Sequence, residues 1–371
     1  MSFTPPPYPY DRLDALREIA KRIFGSAIDC SIGTPCDPPP DDVVAALGTS
    51  GLERGYPTSA GSPQLRTAMS NYMERRFGVE ISPEDVAGCV GTKEFVASTA
   101  QYLHLRDPEH DTVLFPEISY PTYAMGATLA GLRAVPVPTG VDGALRLDEI
   151  AHADAERALC LWTNSPSNPT GALDNLTEAA EWGRTRKVPV LSDECYAEFT
   201  WSKAPQTILE SGMTGVLAVH SISKRSNLAG IRCGFYTGDP ELIAFLRGVR
   251  QHAGLMVPGP VQAAVEVAYN DDLHVEKQRA IYLLRLNKLA EALTGAGIPA
   301  TIPDGTFYLW VPIPSDEVDA WSLAARLAEQ AGLIVSPGDL YGEAGKHFIR
   351  IAVVVSDEDL DLVCERLAQH G

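Results

Sequence analysis

From Asp41 to Asn270, short apolar runs bounded by turn residues alternate with stretches of helical periodicity. The runs TVLFP (112–116), RAVPVP (133–138) and ALCLWTN (158–164) read as strands. VPVLSDE (188–194), VLAVHSIS (216–223) and CGFYTG (233–238) continue the series. Stretches 93–106, 120–131, 174–186 and 240–252 have the spacing of helices. A run such as VLAVHSI is apolar on both faces, which suits a strand inside a sheet covered on both sides. Strand–helix alternation of this kind predicts an α/β domain with a largely parallel central sheet.

The chain changes character on either side of that region. Its first residues are rich in proline and aromatics and become amphipathic from Asp11 to Phe24, so an extended arm and a short helix are expected. After Asn270 a charged helix from about Leu273 to Leu293 makes a connection. Strand-like pieces follow at 307–313, 332–337 and 347–354, with helices at about 318–330 and 357–369. The reading is a segment 1–40 of arm and small-domain chain, a large domain 41–270, and a connecting helix with a smaller α+β domain over 271–371.

Composition narrows the function. Of 371 residues, 45% are hydrophobic and 21% charged, as in ordinary folded proteins. The net charge of -18 argues against a nucleic-acid partner, because no excess of cations exists to displace phosphate counterions. Seven scattered cysteines form no C-x-x-C pair, and the histidines form no H-x-x-x-H pair, so neither a disulfide framework nor a metal site is expected. The first residues lack a basic region followed by an apolar stretch, and no apolar run has the length of a bilayer span. A cytoplasmic protein without a membrane partner is the expectation.

Four segments carry possible chemistry. NSPSNPTG (164–171) is a tight turn at a strand end, where α/β enzymes place ligands. In VLSDECYAEF (190–199), Asp193 closes an apolar strand; a buried carboxylate needs a partner, either a structural cation or a protonated heterocycle. In VHSISKRSNLAGIRCGF (219–235), Lys224 lies just past a strand end beside Ser221, with Arg232 eight residues on. That setting suits one lysine near one phosphate, a nearby cation lowering the lysine pKa for nucleophilic work. In VGTKEFVAS (90–98), a Gly-Thr turn opens a helix whose free N–H groups can bind phosphate. Singly each has a bland explanation as a surface turn, an ion pair or a solvated lysine.

Together, Asn168, Asp193, Tyr196, Lys224 and Arg232 stand in an order and spacing that resemble the fold-type I, class I/II aminotransferases. The resemblance runs from GTPCDPPP to FIRIAVV, nearly the whole chain. It implies a fold-type I transferase using pyridoxal 5'-phosphate, with Lys224 carrying the cofactor as a Schiff base and shuttling the proton. Asp193 would pair with the pyridinium nitrogen, and Tyr196 and Asn168 with the ring oxygen. Gly91, Thr92, Lys93, Ser221 and Arg232 would form the phosphate cup, with Tyr120 stacking on the ring. Tyr56 would reach the cofactor of a neighbouring subunit, which implies a homodimer. Arg350 and Gly33 would hold the substrate α-carboxylate.

Longer strings, among them YPYDRL, SIGTPCDPPP, RQHAGLMVPGPVQAA and SPGDLYG, resemble the actinobacterial succinyldiaminopimelate aminotransferases. The implied reaction is ping-pong amino transfer between N-succinyl-LL-2,6-diaminopimelate and 2-oxoglutarate, leading to lysine and diaminopimelate. The alternatives are an aminotransferase for aspartate, aromatic or N-acylated amino acids, a lyase or decarboxylase using the same cofactor, or a non-catalytic binding module of this fold. For the far carboxylates of a long anionic substrate, Arg225, Lys93 and Arg54 are the candidate cations.

Overall fold

The computed structural model describes residues 3–369. Its strands, in chain order, are β1 (Ile28–Asp29), β2 (Val86–Cys89), β3 (Thr112–Pro116), β4 (Arg133–Val137), β5 (Ala158–Asn164) and β6 (Val190–Asp193). They continue as β7 (Val216–Ser221), β8 (Gly234–Gly238), β9 (Tyr308–Pro312), β10 (Leu333–Ile334), β11 (Ser336–Pro337) and β12 (Phe348–Ala352). Two compact units result. One comprises Pro38–Ala280 with Asp304–Thr306; the other comprises residues up to Asp37, Ile281–Pro303 and those from Phe307 onward. The helix Leu273–Gly295 is continuous across the boundary.

In the larger unit seven strands form one sheet in the order β2-β8-β7-β6-β5-β3-β4. The β7, β6, β5, β3 and β4 neighbours are all parallel. The exception is β8, antiparallel to both β7 and β2. Side chains along each strand alternate between two cores. Val216 and Ala218 of β7 join one cluster, with Leu65, Met69 and Tyr269, whereas Leu217 and Val219 join the other, with Phe95, Tyr123 and Leu246. This period of two, apolar on both faces, is why the strands were legible as continuous apolar runs. Each fully buried aliphatic side chain contributes about 1.5–3 kcal/mol.

Helix ends follow local chemistry. The helix Pro240–His252 starts where expected because Asp239 caps it, accepting from the N–H groups of Glu241 and Leu242, with proline in the first turn. The expected helix at 120–131 is shorter, Thr122–Leu129, and starts after Pro121.

The smaller unit has a three-stranded antiparallel sheet, β11-β12-β9, and a two-residue parallel pairing of β1 with β10. The single strand expected over 332–337 is therefore two: Leu333–Ile334 pairs with β1, and Ser336–Pro337 pairs with β12. The chain changes partners at Val335, which no local pattern announces. Helices Asp14–Phe24, Ala320–Ala331 and Asp357–Ala368 supply the remaining layers. Arg285 ties this unit internally, donating to both oxygens of Asp37 (2.7 and 2.8 Å) and to Asp357 (2.7 Å). Among the described residues, no helix is long and apolar enough to cross a membrane.

Candidate active site

The carboxyl ends of the parallel strands gather polar side chains from distant parts of the sequence. Register places Asn164 of β5 opposite Asp193 of β6, and Asp193 opposite Val219 of β7. Two residues on, Ser221 ends β7 opposite Gly234, and Gly234 lies opposite Cys89 of β2. Asn164, Asp193, Ser221 and the Gly91 turn thus stand along one edge of the sheet. The strand order also reverses here, since β5 leads on to β6 and β7 while its other neighbour, β3, leads outward to β4. Open α/β sheets bind ligands in the crevice at such a reversal.

Asp193 is 6% exposed. Its Oδ2 accepts from the Tyr123 hydroxyl at 2.8 Å, and its Oδ1 from the Cys195 N–H at 3.2 Å. Burial raises the carboxyl above its usual range, and the hydrogen bonds from Cys195 and Tyr123 offset part of that rise. Tyr123 is itself buried, stacked on Trp162 with ring centroids 5.3 Å apart, so its hydroxyl is held in place. Asn164 donates from Nδ2 to the Asp193 carbonyl (2.9 Å) and accepts the Asn168 N–H (2.7 Å). The NSPSNPTG loop is thereby pinned to the Asp193 strand end. Within it, Asn168 is buried and the Ser165–Pro166 and Asn168–Pro169 peptides are cis. Tyr196 is also buried, in the turn closed by the Phe199 N–H on the Tyr196 carbonyl.

Lys224 lies half-buried in the short helix Ile222–Arg225 that follows β7 directly. Ser221 caps this turn, its hydroxyl accepting from the Ser223 N–H at 3.2 Å. The helix Thr92–Arg106 begins after Gly91, with no side chain capping its first turn. Gly91 has φ +77°, and a Cβ there would lie 2.3 Å from the Arg232 Nη2. The backbone therefore favours glycine, and any Cβ would push aside the guanidinium packed against this turn. Arg232, exposed and at φ 54°, donates from Nη1 to the Ala229 carbonyl. Thr92 meets the Cys195 thiol at 3.2 Å, linking the helix start to the Asp193 turn. Lys93 is exposed, its Nζ 6.0 Å from the Tyr120 ring centroid.

Gly91, Thr92, Asn168, Asp193, Tyr196, Ser221, Lys224 and Arg232 thus all belong to one unit and to strand ends or the turns beyond them. Tyr56 belongs to the same unit but is fully exposed, in a segment exposed from Gly51 onward that also carries Arg54. Arg350 and Gly33 belong to the smaller unit. Arg350, 2% exposed on β12, has its guanidinium 4.1 Å from the Tyr308 ring centroid and 4.8 Å from that of Tyr341. A Cβ on Gly33 would lie 2.0 Å from the Tyr308 hydroxyl oxygen, so only glycine allows that tyrosine its position.

One expectation fails. Arg225 is not available to a substrate, being 2% exposed. It pairs with Asp272 (2.6 Å) and Glu198 (3.3 Å), donates to the carbonyls of Ala268 and Asp271, and lies over the rings of Tyr72 and Tyr269. Adjacency to Lys224 suggested a ligand role, but a helical turn sends successive side chains in different directions. Conversely, Tyr123 and Asn164 were missed. A tyrosine in an otherwise apolar helix reads as core, and a polar strand end was the only local signal for Asn164.

These features have close counterparts elsewhere. The model for aminotransferase class I and II matches residues 26–367. A 4-dedimethylamino-4-oxo-anhydrotetracycline transaminase from Streptomyces rimosus is 39% identical, over 98% of this chain and 99% of its own. An LL-diaminopimelate aminotransferase from Dehalococcoides mccartyi is 33% identical, over 98% and 96% respectively. The solved structure of a probable N-succinyldiaminopimelate aminotransferase from Thermus thermophilus superposes with a TM-score of 0.87 at 29% identity, over 98% of this chain and all of that one. A mainly parallel sheet with functional groups at its carboxyl ends is the architecture of fold-type I transferases, which depend on pyridoxal phosphate. The chain belongs to the class I and II aminotransferases of that fold type.

Proposed function

We propose that this aminotransferase moves an amino group between N-succinyl-LL-2,6-diaminopimelate and 2-oxoglutarate, with glutamate as physiological donor, in a cytoplasmic homodimer. The observation that carries the chemistry is the buried, doubly hydrogen-bonded Asp193 at the same sheet edge as Ser221 and the turn bearing Lys224. The cofactor fits this edge. A carboxylate whose pKa is raised by burial is relieved by a cation, and a protonated ring nitrogen is one. The Gly91 turn leaves helix N–H groups uncapped beside the Arg232 guanidinium, which suits a phosphate.

Pyridoxal phosphate, when bound, supplies a carbonyl that condenses with amines and a ring that takes up electron density from the substrate α-carbon. The protein's part is positioning and proton movement. Asp193 keeps a fixed negative charge at the strand end, and Tyr123 holds it in orientation. Lys224 would be the amine that holds the cofactor, and its Nζ would serve as the base that takes the proton from the substrate α-carbon and as the acid that gives it up again. Asn168 and Tyr196 would offer hydrogen bonds to the ring oxygen, Tyr120 would cover the ring, and Gly91, Thr92, Lys93, Ser221 and Arg232 would hold the phosphate. Tyr56 reaches the site of the second protomer. Arg350, with Gly33, grips the α-carboxylate through the two-pronged geometry of a guanidinium.

The succinylated substrate is supported by the strings YPYDRL, SIGTPCDPPP and SPGDLYG, and by likeness to enzymes named for diaminopimelate and its succinyl derivative. A second reading has its own support. The relative at 39% identity is named for a tetracycline precursor, so amination of a bulky cyclic ketone competes. The test is the absorbance of the purified protein with each amino donor, glutamate or succinyldiaminopimelate, and then of the amine form so produced with each keto acceptor. Conversion by glutamate and by succinyldiaminopimelate, with kcat/KM highest for the latter, is the expected outcome. A preference for polycyclic ketones would replace the substrate assignment. Near-normal turnover by Lys224→Ala would overturn the chemistry altogether.

A further inference from the structure

The N-terminal turn is fastened to the residues around Arg350. Pro9–Leu13 and Gly338–Tyr341 are both short 3-10 turns in the smaller unit. Arg12 donates to Asp339 at 3.1 Å, and its guanidinium lies 4.3 Å over the Trp321 ring. The Trp321 Nε1 donates to the same carboxylate at 3.1 Å. Beside this clamp the hydroxyls of Tyr10 and Tyr341 stand 3.2 Å apart, and the two rings meet edge to face with centroids 6.5 Å apart. Tyr341 is 2% exposed, and it also meets the edge of Trp310, the Arg350 guanidinium and, through a side-chain hydrogen bond, Ser336.

Arg350 is thus held between two tyrosine rings, and Tyr10 braces one of them from outside. A second tether runs through Ser31, whose carbonyl accepts from Arg350 and from the Ser336 hydroxyl. The Ser31 N–H donates to Asp29, which Arg17 holds at 2.9 Å. Those contacts fix the Nη2 side of the fork, but not the tilt of the guanidinium plane. The ring stack sets that tilt, because a planar cation lies flat on aromatic faces.

We propose that Tyr10 is a positioning residue for substrate binding: through Tyr341 it sets the plane of Arg350, and so the affinity for α-carboxylate substrates. This rests on the assignment of Arg350 to the α-carboxylate. The ring carries the effect rather than the hydroxyl, since 3.2 Å is long for an O–H···O contact. Tyr10 touches no reacting atom, so its loss acts on binding of donor and acceptor alike and leaves the chemical step in place.

The experiment compares Tyr10→Ala, Tyr10→Phe and Arg350→Lys in the holoenzyme. Steady-state KM and kcat are measured for glutamate and 2-oxoglutarate. Single-turnover conversion of a primary amine lacking the carboxylate is followed alongside, as are thermal melts. Small displacements of a binding group cost up to about a hundredfold, so Tyr10→Ala is expected to raise both KM values roughly 5–30-fold, with kcat within about twofold. Tyr10→Phe restores most of the affinity, and the carboxylate-free amine reacts at the parent rate. A lower melting temperature with unchanged KM overturns the proposal and leaves Tyr10 a packing residue. Failure of Tyr10→Phe to rescue also overturns it. If Arg350→Lys leaves KM unchanged, the fault lies in the Arg350 assignment and the inference falls with it.

Discussion

Truncating Arg225 to alanine tests whether this arginine serves the substrate or the fold. The side chain makes ion pairs with Glu198 and Asp272 and hydrogen bonds to the Ala268 and Asp271 carbonyls, all while 2% exposed. Alanine leaves Glu198 with Arg76 alone and strands the Ala268 carbonyl. It also opens a void against Tyr72 and Tyr269. Removing one partner of a buried pair costs about 3–5 kcal/mol, because the remaining groups have lost both their water and their counter-charge. For a cooperative unit of about 250 residues, each kcal/mol lowers the melting temperature by about 2 °C. A drop of roughly 6–10 °C is therefore expected in the transition of the larger unit, read by calorimetry on the holoenzyme. Steady-state assays should show the same ratio of KM for succinyldiaminopimelate to KM for glutamate as the parent. A melting temperature within about 1 °C of the parent, with a selective rise in KM for the succinylated substrate, would refute the buried-network account and return Arg225 to the list of distal cations.

Two further substitutions probe the site. Tyr123→Phe removes a hydrogen bond to a carboxylate, worth about 1.5–3 kcal/mol, so kcat or cofactor retention should fall roughly 10–100-fold. The Asp193 carboxyl, already raised by burial, then rises further, so activity is lost at a higher pH as the solution is acidified; an unmoved acid limb in the pH–rate profile would show that Tyr123 does not support Asp193. Gly33→Ala puts a Cβ 2.0 Å from the Tyr308 hydroxyl oxygen, displacing the ring on which Arg350 lies. The Tyr308 ring carbons Cζ and Cε1 would also lie 2.7 and 2.8 Å away, so the whole ring must move. KM for α-carboxylate substrates should rise at least about tenfold; an unchanged KM would show that the Tyr308 ring yields without disturbing Arg350.

The portion of this protein legible in its residues is the portion governed by local rules. The run ALCLWTN is a strand over Ala158–Asn164, and the helix 240–252 is bounded as its capping aspartate and following proline require. Asn168, Asp193 and Lys224 stood out as candidates because turn chemistry and a charged residue ending an apolar run are visible within a few positions. What only the tertiary structure decided involves partners far apart in the chain. The antiparallel β8, the change of strand partner on either side of Val335, and the Tyr123 hydroxyl on Asp193 seventy residues away are of this kind. So is the direction of Arg225, which sequence adjacency to Lys224 assigned to the substrate. Burial of a charge is decided by whichever counter-charges packing brings within reach, and here Glu198 and Asp272 lie 27 and 47 positions away.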